Sequence, residues 1–399
     1  MCIFNKVICE DVPNRLEPCW KHKKNIIPVG PIAGRFPSTT QYNMTLKTII
    51  TAAAMALTTP VVAQGNMRES LISRLTTIQT KGTMFGHQDD TFYGLSWRWQ
   101  PNRSDTKETC GQLPAIMGFE LGGIEQGSEV NIDSVPFTLM RQEILAQVAR
   151  GGIVTISWHP RNPLTGGDAW DVSSNEVVSS VMPGGKCHAK FLVWMRRVRN
   201  FLESLSPEGQ PKTPIIFRPW HENNGSWFWW GAKNCTPQEY HALWCMLQDY
   251  LIVEGLDNLV WSYSPNIEGS MTRESFMERY PGDYRIDLIG LDAYQNGTTE
   301  QFIKDAQADL TMLRAYCNDH GKLLAFTECG VKGITPKHWW TEAILPLSNQ
   351  FGLSYVLPWR NDRIDEMFGP SPKTQDAADF KKYFKDAKTL FVNDIKDIN

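Results

Sequence analysis

The chain has 399 residues, of which 42% are hydrophobic and 21% are charged, and its formal net charge is -3. This is ordinary globular composition with enough length for a large core, and the charge gives no reason to expect a nucleic-acid partner. The sequence contains no run of eighteen or more apolar residues, so a membrane-spanning helix is not expected.

Residues 44–63, which read MTLKTIITAAAMALTTPVVA, have the layout of a secretory signal peptide. A Met and a Lys precede an Ala-rich apolar run, and small residues precede a cleavage site after Ala63. Residues 1–43 show no helical or strand period, and we interpret them as an upstream extension before a true start at Met44. This predicts an exported protein, periplasmic or extracellular, without a lipid anchor, because no Cys follows the junction. The alternative is a mobile extension before a buried helix.

The cysteines beyond residue 63 leave the disulfide pattern open. Cys187 and Cys235 both lie in Gly/Asn-rich loop sequence, which makes them the first candidates for a pair in an oxidising compartment. The alternative is that all of these cysteines are buried free thiols. No CxxC spacing indicates a zinc site.

After residue 80, short apolar or β-branched runs alternate with longer amphipathic stretches. The predicted strands are Thr83–His87, Ala115–Glu120, Ile153–His159, Ile215–Trp220, Leu259–Ser264, Leu288–Asp292, Leu323–Glu328 and Tyr355–Trp359. The predicted helices are Thr138–Arg150, Lys190–Leu205, Pro237–Glu254, Thr299–His320, Pro336–Leu347 and Thr374–Phe391. Strands that alternate with helices indicate an α/β fold with parallel strands, and eight such units predict a closed (β/α)8 barrel, one domain over residues 64–399. A doubly wound open sheet is the runner-up, but it would need a GxGxxG turn, and none is present.

The predicted strands end repeatedly in polar or aromatic residues, and in a barrel those ends share the face that holds the active site. Glu222 ends the run IIFRPWHE, and Glu328 ends the run LLAFTE. The fourth and seventh strands lie near opposite sides of the ring, so these two carboxylates are expected to face each other across a cleft. Cleavage of a glycosidic bond needs such a pair, in which one acid protonates the leaving oxygen and the other attacks the anomeric carbon or activates water.

Tryptophans are concentrated at the same strand ends, and a flat indole suits the apolar C–H face of a sugar ring. Trp170 and Trp227 lie in polar loops that contain Gly or Asn, and we predict that they contact the ligand. Trp220 and Trp261 are equally compatible with barrel packing and with ligand contact. Trp194 and Trp244 fall at helical spacing and are assigned to the core.

Six segments resemble glycoside hydrolase family 26, whose members are mostly β-mannanases, and they occur in the family's order over nearly all of the chain after residue 63. They are GHQDD (Gly86–Asp90), ISWHPRNPLTGGDAWD (Ile156–Asp171), FRPWHENNGSWFWWG (Phe217–Gly231), GLDAY (Gly290–Tyr294), FTECG (Phe326–Gly330) and PWRN (Pro358–Asn361). The segment Phe217–Gly231 resembles the family's acid/base signature. One departure is the Pro160-Arg161 pair, where a less constrained stretch is expected.

The resemblance implies a (β/α)8 barrel and a retaining double displacement, with Glu222 as general acid/base and Glu328 as nucleophile. Retention predicts carboxyl groups about 5 to 5.5 Å apart, and like charge is expected to raise the pKa of the acid. The resemblance also implies that Tyr294 hydrogen-bonds the nucleophile, that Arg218 helps to keep it ionised, and that His221 contacts the sugar near its 2-hydroxyl. The other substrate-binding residues implied are His159, Trp170, Trp227, Asp292, Trp359 and Arg360.

The substrate implied is mannan, galactomannan or manno-oligosaccharide, cut at β-1,4 linkages without a cofactor or a metal by a monomer or weak dimer. Endo cleavage and release of mannobiose remain open, as do same-family activities on mixed-linkage β-glucan or β-1,3-xylan. A metal-dependent barrel hydrolase that uses His87, His159 and His221 is a different hypothesis, against which the first predicted strand lacks a His-x-His pair. A third is a carbohydrate-binding barrel without activity, although both glutamates are present.

Overall fold

The computed structural model describes residues 66–333 and 336–398. The predicted upstream extension and signal peptide lie outside these residues. None of the described helices combines the length and the apolarity that crossing a membrane requires.

Eight parallel strands form a closed barrel, in which each strand pairs with the next strand of the chain. The last strand pairs with the first, with Met84 opposite Tyr355, and this pairing closes the ring. The structure therefore confirms the predicted (β/α)8 barrel. The strands are β1 (Thr83–Gln88), β2 (Ile116–Glu120), β3 (Ile153–Trp158), β4 (Ile215–Pro219), β5 (Leu259–Tyr263), β6 (Leu288–Gln295), β7 (Leu323–Val331) and β8 (Tyr355–Pro358).

The helices lie between the strands and at both ends of the described chain. They are α1 (Met67–Gln79), α2 (Asp105–Cys110), α3 (Phe137–Ala149), α4 (Val177–Val181), α5 (His188–Ser204), α6 (Pro237–Val253), α7 (Arg273–Arg279), α8 (Thr299–His320), α9 (Leu345–Phe351), α10 (Ala377–Phe384) and α11 (Val392–Ile395). Helix α6 begins with a capping box, in which Thr236 and Glu239 satisfy each other's backbone N–H groups. Gly321 ends α8 in the left-handed conformation, which glycine adopts without a steric penalty.

Two predicted helices differ from the structure. The helix predicted over Pro336–Leu347 is a π-helical turn, Trp340–Ile344, followed by α9. Pro346 has no N–H to donate back along the helix, and the hydrogen bond from Leu345 N–H reaches Trp340 O instead. The prediction of one helix over Thr374–Phe391 is wrong, because α10 ends at Phe384 and Thr389–Leu390 then forms a short strand, β9, beside β1.

One core cluster fills the end of the barrel where the strands begin, and α1 covers it with Leu71, Leu75 and Ile78. A larger cluster lies between the strands and the surrounding helices, and it contains Trp220 and Trp261. Both indoles are at most 2% exposed, which assigns them to barrel packing. Trp194 and Trp244 are core residues as predicted.

The two cysteines considered for a disulfide are free thiols in the structure. The Cys187 thiol donates to Pro163 O at 3.5 Å, and the Cys235 thiol donates to Trp230 O at 3.3 Å. The disulfide hypothesis is therefore not supported, since each sulfur has a backbone acceptor of its own.

Candidate active site

Three carboxylates meet where β4, β6 and β7 reach the same rim of the barrel. Glu222 follows β4, and Asp292 and Glu328 lie within β6 and β7. One oxygen from each of the three lies within 4.8 Å of the others, and all three side chains are buried. The structure thus brings together the two glutamates singled out from the sequence and Asp292, which the family resemblance assigned to substrate binding.

A register irregularity positions Asp292 against Glu328. Leu291 pairs with Phe326, but Asp292 pairs with Glu328, so Thr327 is an extra residue in β7. Bulges of this kind redirect side chains next to active sites. The Thr327 hydroxyl donates to Asp292 Oδ1 at 2.6 Å, which fixes the orientation of that carboxylate.

The backbone around Glu222 is in the left-handed region. Trp220 has φ of 54° and Glu222 has φ of 51°, although neither is glycine. Non-glycine residues adopt such angles rarely, and strain of this kind persists only where surrounding contacts impose it. Here Glu222 N–H donates to Ser264 O at 2.7 Å, and the Tyr240 hydroxyl donates to Trp220 O at 2.9 Å. These two bonds hold the turn that directs Glu222 toward the other carboxylates.

Arg218 carries the positive charge of the site. One of its guanidinium nitrogens donates to Asp292 Oδ2 at 2.8 Å and the other donates to Glu328 Oε1. The second oxygen of Glu328 accepts from the Tyr294 hydroxyl at 2.6 Å. Burial and the charge of Glu328 raise the pKa of Tyr294, which keeps the phenol protonated as a donor. Both oxygens of Glu328 are therefore occupied by fixed donors.

Unlike Glu328, which bonds to a guanidinium, Glu222 lies among groups that disfavour its charged form. Burial, followed by the charges of Glu328 and Asp292, raises its pKa well above the ordinary value for a glutamate. The Trp227 indole N–H donates to Glu222 Oε2 at 2.5 Å and opposes this rise. The site therefore combines a carboxyl group whose pKa is raised with a carboxylate that a guanidinium and a phenol hold in place. Burial also raises the pKa of Asp292, to about 7, against the opposing charge of Arg218.

Two histidines lie beside this group. His159 and His221 meet through their Nε2 atoms at 2.9 Å, and His221 Nε2 lies 3.9 Å from Glu328 Oε1. The Nδ1 atom of His159 lies 2.8 Å from Glu120 Oε2. The sequence interpretation did not assign a role to Glu120, although it ends β2 in the same way as Glu328 ends its own predicted strand.

The predicted aromatic contacts lie around the histidine pair. Trp170 is 49% exposed and stacks on His159 at 5.5 Å between ring centroids, and the Trp359 ring lies 6.2 Å from the same imidazole. Trp227 is 37% exposed and reaches Glu222 as described above. Arg360 bonds to Asp133, a residue for which the sequence interpretation gave no role.

The histidines of the metal hypothesis do not converge. His87 Nδ1 bonds to Asp90 at 2.6 Å, away from the contact between His159 and His221. Over residues 66–333 and 336–398, one set of three side chains has the spacing of metal ligands. It consists of Glu222, Asp292 and Glu328 and contains no histidine. Arg218 already bonds to Asp292 and Glu328 in that set.

Comparison with known proteins gives this arrangement a family. The model of Glycosyl hydrolase family 26 matches residues 62–340. The chain belongs to glycosyl hydrolase family 26. This confirms the resemblance found in the six sequence segments, and a solved member of the family has the same barrel. That structure, a GH26 β-mannanase from Bacteroides ovatus, is 44% identical with a TM-score of 0.80, over 84% of this chain and 98% of its own.

Two curated relatives of this family member carry the name mannan endo-1,4-β-mannosidase. The protein from Bifidobacterium adolescentis is 33% identical over 261 residues, and the match covers 62% of this chain but 25% of that protein. The protein from Bacillus subtilis is 28% identical over 260 residues, and the match covers 62% of this chain and 65% of that protein. The chain thus spans a quarter of the first relative's length and less than two thirds of the second's.

Proposed function

We propose that the chain is a retaining glycoside hydrolase that cleaves β-1,4-mannosidic linkages in mannan-type chains. The observation that carries the proposal is the pair of glutamates with oxygens within 4.8 Å of each other, one in surroundings that raise its pKa and the other bonded to a guanidinium. Retaining enzymes need their two carboxyl groups about 5 to 5.5 Å apart, whereas inverting enzymes need about 6.5 Å or more to admit a water.

In the proposed reaction, Glu222 protonates the leaving glycosidic oxygen while Glu328 attacks the anomeric carbon. The resulting glycosyl ester is then hydrolysed by a water from which Glu222, now a carboxylate, takes the proton. Arg218 and Tyr294 hold Glu328 in position for attack through their bonds to its two oxygens. Burial and the two neighbouring carboxylates raise the pKa of Glu222. The raised pKa favours the protonated form, which is the form that can donate a proton in the first step.

The substrate class in this proposal rests on the relatives and on the aromatic surroundings of the cleft. The two curated relatives are named for mannan, and the Bacteroides ovatus structure is described as a β-mannanase. Trp170, Trp227 and Trp359 offer indole faces around His159 and Glu222, and such faces suit neutral sugar rings. The names of the curated relatives favour endo cleavage for this chain. Export after cleavage near Ala63 stays a prediction from the sequence.

Two assays on the wild-type protein test the proposal. Mannopentaose, galactomannan, lichenan and β-1,3-xylan are digested in parallel, and the products are followed over time by chromatography. We expect cleavage of the two mannan substrates, and activity on lichenan with none on mannan would contradict the substrate assignment. Proton NMR of the first product should show the β-anomer, because double displacement retains configuration. A first product with α-configuration would contradict the mechanism.

Variants at both glutamates separate their roles. Glu328→Ala should lose nearly all activity on every substrate, because the carbon that is attacked no longer meets a nucleophile. Glu222→Ala should lose activity on mannan, but on an aryl mannoside it should still release the acidic phenol in a rapid first turnover, which needs no proton donor, and then hydrolyse the glycosyl ester slowly, because the base of the second step is also gone. Glu268→Ala, an exposed glutamate on the loop after β5, is the matched control and should retain activity. Full activity in Glu328→Ala would overturn the assignment of the nucleophile.

A further inference from the structure

A groove lies beside the candidate active site, between the segments that follow the first and last strands of the barrel. The chain after β1 forms a hairpin in which Tyr93 and Gly94 pair with Trp97 and Arg98. The chain after β8 passes through Asp362 and Arg363. Because β1 and β8 pair in parallel, these two segments meet at the same rim as the glutamates. The groove between them has a volume of about 580 Å³, within the roughly 300 to 1,000 Å³ of small-molecule sites.

The walls of the groove are polar but nearly charge-compensated. Ser96, Gln100, Arg98, Arg363 and Asp362 contribute to its lining. Both arginines pair with the Asp362 carboxylate, and Arg363 pairs also with Asp365. The groove therefore offers hydroxyl, amide and guanidinium hydrogen-bonding groups without an unpaired lining charge, which suits a neutral ligand rich in hydroxyl groups.

Trp99 provides a flat apolar surface next to this groove. It lies between two lining residues, Arg98 and Gln100, and its side chain is 40% exposed. Its φ is 55°, in the left-handed region that a bulky side chain rarely adopts. The hydrogen bond from Trp99 N–H to Phe92 O, 2.7 Å long, holds that conformation. Strain retained at an exposed aromatic residue is typical of ligand contacts.

Packed side chains connect Trp99 to the cleft. Its ring meets Tyr93 edge-on at 6.1 Å, and the Tyr93 hydroxyl donates to Asp89 Oδ2 at 2.7 Å. Arg360, which the family resemblance assigns to the substrate, precedes Asp362 of the groove by two positions. Tyr93 and Asp89 both lie close enough to Arg360 to raise the pKa of its guanidinium. The groove therefore neighbours a residue that the family resemblance assigns to the substrate.

We propose that this groove, with Trp99, is an additional sugar-binding subsite that takes the outer units of a β-1,4-linked hexose chain on the Arg360 side of the cleft. This inference rests on the proposed function, since the chain in the groove is the one that Glu222 and Glu328 cleave. It goes further in predicting that the enzyme prefers long chains, because short ones fill the cleft without reaching Trp99.

The test compares substrates of increasing length. Wild type and Trp99→Gly are assayed on mannotriose to mannohexaose, with kcat and KM measured separately. Glycine accepts the positive φ without strain, so the variant removes the indole and leaves the hairpin folded. We expect kcat/KM on mannohexaose to fall about five- to tenfold, the size of one aromatic contact, mainly through KM. The value on mannotriose should stay unchanged.

Two further variants make the result specific. Trp99→Phe keeps a ring and should recover most of the activity on mannohexaose. Ile364→Ala removes an exposed apolar side chain of the same rim that is not part of the groove lining, and it should match wild type at every length. The subsite would be overturned if Trp99→Gly lost activity equally on short and long chains, or lost none on either. It would also be overturned if the variant gained binding to an acidic polysaccharide. Wild type that cleaves no manno-oligosaccharide would overturn the proposed function, and the subsite with it.

Discussion

His159 and His221 share one hydrogen bond between their Nε2 atoms, 2.9 Å apart. One nitrogen must donate and the other accept, and the surroundings decide which. Burial lowers the pKa of His159, but the adjacent Glu120 carboxylate outweighs it and the net shift is upward. Burial, the charge of His159 and that of Arg218 lower the pKa of His221. These opposite shifts favour His159 as the donor and His221 as the acceptor beside Glu328.

Removing that donor should change the pH dependence of the enzyme. In His159→Asn, one of the charges that lower the pKa of His221 is gone, so His221 takes up a proton at a higher pH. A charged His221, 3.9 Å from Glu328 Oε1, would weaken the nucleophile. The acidic limb of the profile of kcat/KM against pH should move to higher pH. The control is His320→Asn, which alters another histidine–carboxylate pair, and an unmoved acidic limb in His159→Asn would contradict the assignment.

Arg218→Met should damage both activity and stability, because it leaves Asp292 and Glu328 without their shared cation. We expect kcat/KM to fall by about a hundredfold and the free energy of unfolding to fall by about 3 to 5 kcal/mol at neutral pH. The pKa of Asp292, about 7 in wild type, is held down by Arg218 and should rise in the variant. The stability deficit should therefore shrink as pH falls and the unpaired carboxylates take up protons.

Arg285→Met is the matched control for this variant. Arg285 pairs with Asp249 at 2.8 Å, just before the start of β6 and away from the cleft. It should lose stability but keep its kcat on mannan, as measured by chemical denaturation and by reducing-sugar release. A kcat that falls equally in both variants would mean that Arg218 has no role beyond folding.

Glu222→Gln should be inactive on mannan and yet more stable than wild type at neutral and alkaline pH. The folded-state pKa of Glu222 lies above its unfolded value, so wild type loses stability as pH rises from the ordinary glutamate pKa to the raised one. Glutamine carries no charge and avoids that loss. The difference in melting temperature between variant and wild type should grow with pH over this window, while Glu268→Gln should show no such trend. A difference that shrinks with pH would contradict the raised pKa.

The barrel and its two glutamates could be predicted because each strand is a short apolar run that ends in a polar residue. Glu222 and Glu328 stand at such ends, and parallel strands bring all of these ends to one rim. The packing of Trp220 and Trp261 could not be decided in the same way. Both faces of a strand in a parallel barrel are buried, so alternation along the sequence carries no information about which face meets the cleft.

The hydrogen-bond partners of the predicted site residues could not be predicted from the sequence for a different reason. Glu120 bonds to His159 from 39 positions away, and Asp133 bonds to Arg360 from 227 positions away. Local sequence patterns do not indicate which distant residues form such pairs. The extra residue Thr327, which sets Asp292 against Glu328, and the positive φ of Glu222 likewise depend on contacts between strands. The sequence predicts which side chains reach the rim, and tertiary contacts determine their charge states.

Trp227→Phe tests the charge state of the acid directly. The indole N–H of Trp227 bonds to Glu222 Oε2 at 2.5 Å and lowers the pKa of that carboxyl. Phenylalanine keeps an aromatic ring but donates no hydrogen bond, so the pKa of Glu222 should rise further. The alkaline limb of kcat/KM on mannopentaose, where the acid loses its proton, should therefore move to higher pH. Trp170→Phe removes an exposed indole that stacks on His159 and should weaken binding through KM without moving that limb. If the alkaline limb moves to lower pH in Trp227→Phe, or moves equally in both variants, then Glu222 is not the proton donor that Trp227 adjusts.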